Sequence, residues 1–225
     1  MKNLFLLCVL FFGLMITSCK EKAKVDVTVD ETPATDDATN TSGTYVIDPA
    51  SSQVNWKGFK PTGTHNGIVP ISSGTITVAD GNITGGTIEI DMNGITVLDQ
   101  QGDSKMKLEA HLKGKDPGKE EDFFNVDKYP KATYVVNSAS VLNNDPDGTH
   151  MINGTLTIKD ISKPVNFKAR VNMGDGKLSA TTPEFPVDRT EYDIKFKSQK
   201  FFNNLRDDFI NDEFKLQITV NANKQ

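Results

Sequence analysis

The chain has 225 residues, of which 36% are hydrophobic and 24% charged, an ordinary composition for a globular protein. Its net charge of −5 and its pI near 5.3 provide no basic surface for nucleic acid, so we expect no nucleic-acid partner. Both cysteines, Cys8 and Cys19, lie near the N-terminus, so a disulfide cannot stabilise the rest of the chain.

The N-terminal segment has the pattern of a bacterial lipoprotein signal. Lys2 supplies a positive charge, and the apolar run Leu4–Met15 is too short to span a bilayer comfortably. Ile16–Cys19 matches the lipoprotein box, in which the cysteine is acylated and becomes the mature N-terminus. The alternative is an ordinary secretory signal with an incidental cysteine. We predict a signal peptide over residues 1–18 and lipidation at Cys19 by a fatty acid such as palmitate.

Residues 19–43 are rich in Thr, Asp, Lys, Glu and Ala and include no aromatic residue, which predicts a disordered tether. We expect the folded domain over residues 44–225. A lipidated cysteine followed by a tether predicts anchoring in the cell envelope. The periplasmic face of the outer membrane is the expected location, and the cell surface is the alternative.

From Tyr45 onward, apolar and polar residues alternate in segments that are separated by turn residues. The clearest segment is the last, in which the apolar positions are Phe214, Leu216, Ile218 and Val220. Turns are predicted at Asp80–Asn82, Asn143–Gly148 and Gly174–Gly176. A period of two over many segments predicts sheets with one dry and one wet face. The expected fold class is therefore all-β, either a barrel or a sandwich.

Three segments give sharper expectations. In the first, Val165, Phe167, Ala169 and Val171 are predicted to point inward, and Asn166, Lys168 and Arg170 outward. In the second, Ser104–Leu112 has helical spacing, and in the third, Lys200–Phe209 is predicted to include a short helical turn.

An ordered set of motifs runs through the middle of the chain. It comprises His111-Leu112, Asp122-Phe123-Phe124, Tyr129-Pro130, Leu156-Thr157-Ile158 and Lys163-Pro164-Val165. As one set, these motifs resemble the YceI-like family, and the resemblance runs from Tyr45 to the C-terminus. It implies an antiparallel, lipocalin-like β-barrel of about eight strands, capped by short helices, that binds polyisoprenoid lipids. Ser51 stands where a typical member has histidine, and residues 113–121 form a longer segment than usual.

Catalytic and metal-binding motifs are missing from the sequence. It has no Gly-x-Ser-x-Gly, no His-Glu-x-x-His and no phosphate loop. The three histidines show no zinc-ligand spacing, and His150 is predicted to be exposed in a turn-rich region. We therefore predict a protein that is not an enzyme, with no catalytic residue, metal ligand or cofactor.

Several residues on motif positions have two readings. His65 and His111 either bind a lipid head group at the barrel mouth or cap a turn or helix end. Arg189 either binds a head-group oxygen or closes the barrel floor. The aromatic side chains either line a prenyl-binding cavity or fill a core. The residues predicted to bind the ligand are Trp56, His65, Ile90, His111, Phe123, Phe124, Phe167, Ala169, Arg189, Tyr192 and Phe214.

The resemblance implies a lipid-anchored envelope protein that binds or carries an isoprenoid-type lipid. Each buried CH₂ contributes about 0.8 kcal/mol, so a prenyl chain can bind with few polar contacts. The main alternative is a filled barrel that acts as a stress or interaction module in the envelope, and an enzyme acting on a lipid is the third. The expected partners are the lipid and the membrane, and the sequence leaves a homodimer open.

Overall fold

The structure is a computed structural model that describes residues 41–225; the predicted signal peptide, Cys19 and most of the predicted tether lie outside these residues. The strands are β1 Gly43–Ile47, β2 Gln53–Lys60, β3 Gly63–Ala79, β4 Asn82–Asp91, β5 Thr96–Val97, β6 Lys131–Val141, β7 His150–Ile158, β8 Ile161–Gly174, β9 Lys177–Thr181, β10 Phe185–Asp188 and β11 Glu213–Lys224. The helix α1 spans Gly102–Lys113, and single 3-10 helical turns lie at Met92–Gly94 and Arg189–Tyr192.

Eight of the strands form a closed ring. Their order is β11-β2-β3-β4-β6-β7-β8-β9, and the pairing of β9 with β11 closes the ring. All of these neighbours are antiparallel. The predicted all-β, antiparallel barrel is confirmed. Outside the ring path, β5 pairs with β3 and β10 pairs with β11.

The first two strands behave as one interrupted strand. Both β1, through Tyr45, and β2, through Trp56, pair with β3 on one side and with β11 on the other. At the break between them, Ser52 Oγ accepts a hydrogen bond from Asn221 N at 2.9 Å and donates one to Asn221 O at 3.2 Å. This side chain therefore replaces the backbone bonds that the break removes from the β11 ladder.

The alternating segments bury the faces that the sequence predicts. On β8, Phe167, Ala169 and Val171 are buried, whereas Asn166 and Arg170 are exposed. The Asp80–Gly81 turn joins β3 to β4 with positive φ at both residues, 50° and 75°. That conformation belongs to the two-residue hairpin turns whose twist matches the flanking strands.

The helical predictions have two outcomes. The predicted helix is confirmed as α1, which ends at Gly114, whose φ of 71° lets its N–H bond back to His111 O. In residues 200–209 no helix forms. At the start of this segment Ser198 O accepts from Phe201 N at 3.1 Å and from Phe202 N at 2.9 Å, which makes one isolated turn, and a separate turn joins Asp208 N to Leu205 O at 2.9 Å. Positive φ at Asn204 and Arg206 interrupts the helical conformation between these turns. Within residues 41–225, no helix is long and apolar enough to cross a membrane.

Candidate functional site

The larger of two cavities inside the barrel has a volume of about 120 Å³ and lies at the end that non-strand segments cover; we call it the capped cavity. Strands contribute inward-facing residues that include Val54, Gly58, Val69, Ala132, Leu156 and Ile158. The covering segments contribute Met92, Ile95, Leu112, Ile194, Ile210 and Asn211. Six residues predicted to bind ligand also line it: Trp56, Ile90, Phe123, Phe124, Arg189 and Phe214. The lining is apolar except for Arg189 and Asn211.

Several residues of the capped-cavity wall are half-buried where β2 meets β11. Trp56 and Leu216, which are direct partners in this ladder, are half-buried, as is the neighbouring Phe214. Gly58 lies opposite Phe214, and a Cβ added at Gly58 would meet no atom within 4 Å. Trp56 Nε1 has no hydrogen-bond partner among the residues that the structure describes. Open space for an apolar group therefore lies beside Gly58, next to the last pair of the β2–β11 ladder, Lys57 and Lys215.

Arg189 lines the capped cavity, but its hydrogen bonds go to the protein. It is 4% exposed and donates to the backbone carbonyls of Asn211 at 3.0 Å, Ile194 at 2.8 Å and Ile210 at 2.9 Å. Burial lowers the pKa of Arg189, and the nearby carboxylates of Asp212 and Asp188 oppose that shift. These contacts favour the reading in which Arg189 closes one end of the barrel.

His111 lies outside the cavity lining, in the last turn of α1. Its Nε2 lies 2.8 Å from Asp122 Oδ2, and its ring packs edge-on against Phe123 and Phe196, each with a centroid distance of 5.0 Å. Because Phe123 lines the capped cavity, His111 supports the wall from behind. These contacts favour the structural reading of His111, in which the ring stabilises the end of a helix.

His65 also lies outside the lining, on the outer part of the β3 ladder. Its Nδ1 lies 2.8 Å from Asp99 Oδ2, and the other oxygen of that carboxylate accepts from Asn66 N at 2.9 Å. The pair holds the segment after β5 against β3. These contacts favour the structural reading of His65, which stabilises a turn.

The remaining predicted residues lie in the core. Tyr192 is 1% exposed and lines neither cavity; burial raises its pKa to about 12. Phe167 and Ala169 line the second cavity, which has a volume of about 40 Å³ and which we call the strand cavity because strand residues form nearly all of its wall. The sequence therefore predicts that these residues face inward but does not predict their level along the barrel.

The prediction that His150 is exposed is wrong. His150 begins β7, pairs with Ala169 on β8 and is 9% exposed. Its Nδ1 lies 2.9 Å from Thr149 Oγ1, and burial lowers its pKa. The turn residues that precede it suggested exposure, but the β7–β8 pairing buries it.

Sequence reasoning missed two kinds of cavity residue. Val54, Leu156 and Leu216 lie on segments whose alternation already marks them as inward-facing, so a periodic signal was present. Ile194 and Ile210 lie in irregular segments, where no period exists to reveal them.

The described part of the chain contains no group of histidine, cysteine or acidic residues that could hold a metal ion. Near the C-terminus the sequence has two pairs of adjacent acidic residues, Asp207-Asp208 and Asp212-Glu213, of which Asp208 and Asp212 form ion pairs with Lys197 and Lys200. The capped cavity is suited to enclosing an apolar group, because Arg189, the charged residue of its lining, is bonded to backbone carbonyls.

Comparisons with known proteins show the family. Burkholderia cenocepacia BcnA has 17% sequence identity and a TM-score of 0.58, with 78% of this chain and 99% of that chain covered. A polyisoprenoid binding domain from Saccharophagus degradans, implicated in plant cell wall breakdown, has 11% identity and a TM-score of 0.55, with 80% and 98% covered. These likenesses show the fold, and no curated protein matches in sequence. The YceI-like domain model matches residues 45–222, and the chain therefore belongs to the YceI-like family.

Proposed function

We propose that this chain binds the hydrophobic chain of an isoprenoid-type lipid in the capped cavity, as a lipid-anchored protein of the cell envelope. The observation that carries the proposal is an almost wholly apolar cavity inside a closed ring of strands, with open space beside Gly58. The polyisoprenoid binding domain from Saccharophagus degradans, which shares this fold, supports the choice of ligand class.

The size of the capped cavity sets what it holds without rearrangement. Its volume of about 120 Å³ is close to that of an engineered apolar cavity of about 150 Å³ that binds benzene. A group of the size of one isoprene unit therefore fits directly. A longer chain extends outward through the open space beside Gly58 or displaces the covering segments.

The affinity is expected to come from the hydrocarbon chain. One isoprene unit, at about 0.8 kcal/mol for each buried CH₂, supplies roughly 3–4 kcal/mol before ordering costs. Arg189 already donates to three backbone carbonyls, so its charge is committed within the protein. The head group is then held near the rim of the cavity, where solvent reaches it.

Trp56 is the only tryptophan of the chain and lines the cavity, so its fluorescence reports on binding. Titration of the full chain with farnesol should shift and saturate this emission, and the bound alcohol should be recovered unchanged. Gly58→Leu should weaken binding tenfold or more, because the new side chain occupies the open space at Gly58. Its unfolding midpoint in urea should not fall.

Gly174→Leu is the matched control. Gly174 also has no atom within 4 Å of an added Cβ, but it lies at the end of β8, outside the capped cavity. It should bind farnesol as the wild type does. No binding by the wild type would favour the filled-barrel alternative, and equal binding by the Gly58 variant would show that the ligand does not lie in the capped cavity. Chemical conversion of the alcohol would favour an enzyme.

The anchoring part of the proposal depends on Cys19, which follows the small residues Thr17 and Ser18. Metabolic labelling with a fatty acid should mark the wild type and leave Cys19→Ala unmarked. Fractionation should place the labelled protein with the outer membrane. Equal labelling of both proteins would contradict the lipoprotein assignment without affecting the cavity.

A further inference from the structure

The interior of the barrel is divided into two compartments. The capped cavity and the strand cavity share no lining residue. On β4, Ile90 lines the capped cavity and Ile88 the strand cavity; on β6, Ala132 and Tyr134 divide in the same way. Ile90 is the ladder partner of Ala132, and Ile88 is the partner of Tyr134. The boundary between the two cavities therefore crosses both strands at the same height along the barrel.

Tyr134 occupies that level in a fixed position. A Cβ at Gly154, on the neighbouring strand β7, would lie 2.4 Å from both Cζ and Oη of Tyr134, so only glycine leaves room for the ring. Tyr134 Oη donates to Val165 O on β8 at 2.8 Å. The side chain therefore reaches from β6 past β7 to β8 and is bonded at its far end.

Two phenylalanines continue the row of rings. Phe167 on β8 lies 5.1 Å from Tyr134 between ring centroids, and Phe185 on β10 stacks on Phe167 at 4.6 Å. All three are at least nine-tenths buried, and Phe185 lines neither cavity. We call Tyr134, Phe167 and Phe185 the aromatic row. It extends from β6 to β10 and consists of large side chains that contact one another.

We propose that the aromatic row sets the length of hydrocarbon chain that the barrel can bury, by confining the ligand to the capped cavity. This inference rests on the function proposed above and adds a limit to it. A lipid with a long prenyl chain buries only its first unit or two, and the remainder stays outside. The row therefore selects for the terminal part of a chain and against deep insertion.

The test uses the full chain and a series of prenyl alcohols: geraniol, farnesol and geranylgeraniol. Binding is followed by Trp56 emission. In the wild type, the affinity should level off along this series, with differences of about threefold or less. Tyr134→Leu removes the ring that fills the space beside Gly154 and so joins the two cavities. In this variant, each added isoprene unit should raise the affinity about tenfold or more because additional CH₂ groups become buried.

Further variants separate the row from general loosening of the core. Phe167→Leu removes the neighbouring ring on β8 and replaces Tyr134→Leu in the test if that variant does not fold. Tyr134→Phe keeps the ring and loses only its bond to Val165, so it should retain the levelling-off. Ala180→Val narrows the strand cavity from β9 and should leave every wild-type affinity unchanged.

The outcomes are distinct. A wild-type affinity that rises with chain length as steeply as in the two leucine variants would overturn the length limit. Weaker binding by the Ala180 variant would also overturn it, because the strand cavity would then hold part of the ligand. Levelling-off in both folded leucine variants would also overturn it. If no alcohol of the series binds to the wild type, the proposed function itself fails, and the length limit fails with it.

Discussion

The two compartments of the barrel differ in how their walls are made. Strand residues form almost the whole wall of the strand cavity, and the space left there is about 40 Å³. In the capped cavity, α1, two 3-10 turns and irregular segments replace part of the strand wall, and about 120 Å³ remains. Strands present side chains at regular intervals that interdigitate to the density usual in protein interiors. Free volume is therefore found where the covering segments are irregular.

The covering segments are held by side-chain hydrogen bonds, whereas backbone ladders hold the strands around the other compartment. Arg189 joins three carbonyls of the segment that precedes β11, and His111 is bonded to Asp122 beyond α1. Polar bonds of this kind fix a segment without filling the space beneath it. The capped end is thus both stable and incompletely packed.

The largest effect is expected at the capped end, from Arg189→Leu. This change leaves three backbone carbonyls and the buried part of Asp212 without their partner, which should cost about 3–5 kcal/mol in unfolding free energy. Urea unfolding measures it. Arg170→Leu is the control, because Arg170 is exposed, and its midpoint should stay close to that of the wild type. If Arg189→Leu lowers the unfolding free energy by less than about 1 kcal/mol, the capped end of the barrel is held closed by other contacts.

A matched pair of alanines compares the packing of the two compartments directly. Ala132 is 3% exposed and lines the capped cavity, and Ala169 is 1% exposed and lines the strand cavity. Ala169→Trp should be less stable than Ala132→Trp by about 1–3 kcal/mol, because an indole overpacks the smaller space. Ala132→Trp should also abolish farnesol binding. Equal losses of stability would mean that the compartments are packed alike.

A smaller effect is expected from the dry surroundings of His150. Burial lowers its pKa in the folded state, whereas in the unfolded chain the group protonates near its ordinary pKa of about 6.5. Below about pH 6.5 the unfolded chain therefore binds more protons, and this group makes stability fall as pH decreases through its folded-state pKa. Urea midpoints at about pH 7.5 and pH 5.5 should differ less in His150→Gln than in the wild type.

The smallest effect is expected from Lys168→Ala, on the solvent-facing side of β8 next to Ala169. Lys168 forms ion pairs with Asp145 and Asp147 near the surface, and ion pairs of this kind contribute little to stability. Lys168→Ala should change neither the urea midpoint nor farnesol binding. A clear loss of either property would indicate that β8 does not separate a dry face from a wet one.

The strands of this fold could be predicted because a period of two is the direct signature of a sheet with one buried face. Phe167 and Ile90 are both inward-facing residues, as the alternation predicts, yet they line different cavities. Alternation specifies a face of the sheet and carries no information on the level along the barrel. That level depends on the register of long-range pairings, which only the folded ring defines. Ile194 and Ile210, in irregular segments, have no pattern at all.

The pairing of β11 has a consequence for the order of folding. This last strand pairs with β1, β2, β9 and β10, so it joins the beginning of the domain to its end. The ring cannot close before Glu213–Lys224 is available. Pairing this strand with β1 and β2 closes a loop that contains most of the domain, and the entropy lost in closing the loop is offset only when these contacts form. Folds dominated by such distant pairings fold slowly. The barrel is therefore expected to acquire its stability only after Glu213–Lys224 has been synthesised, in a single late and cooperative step.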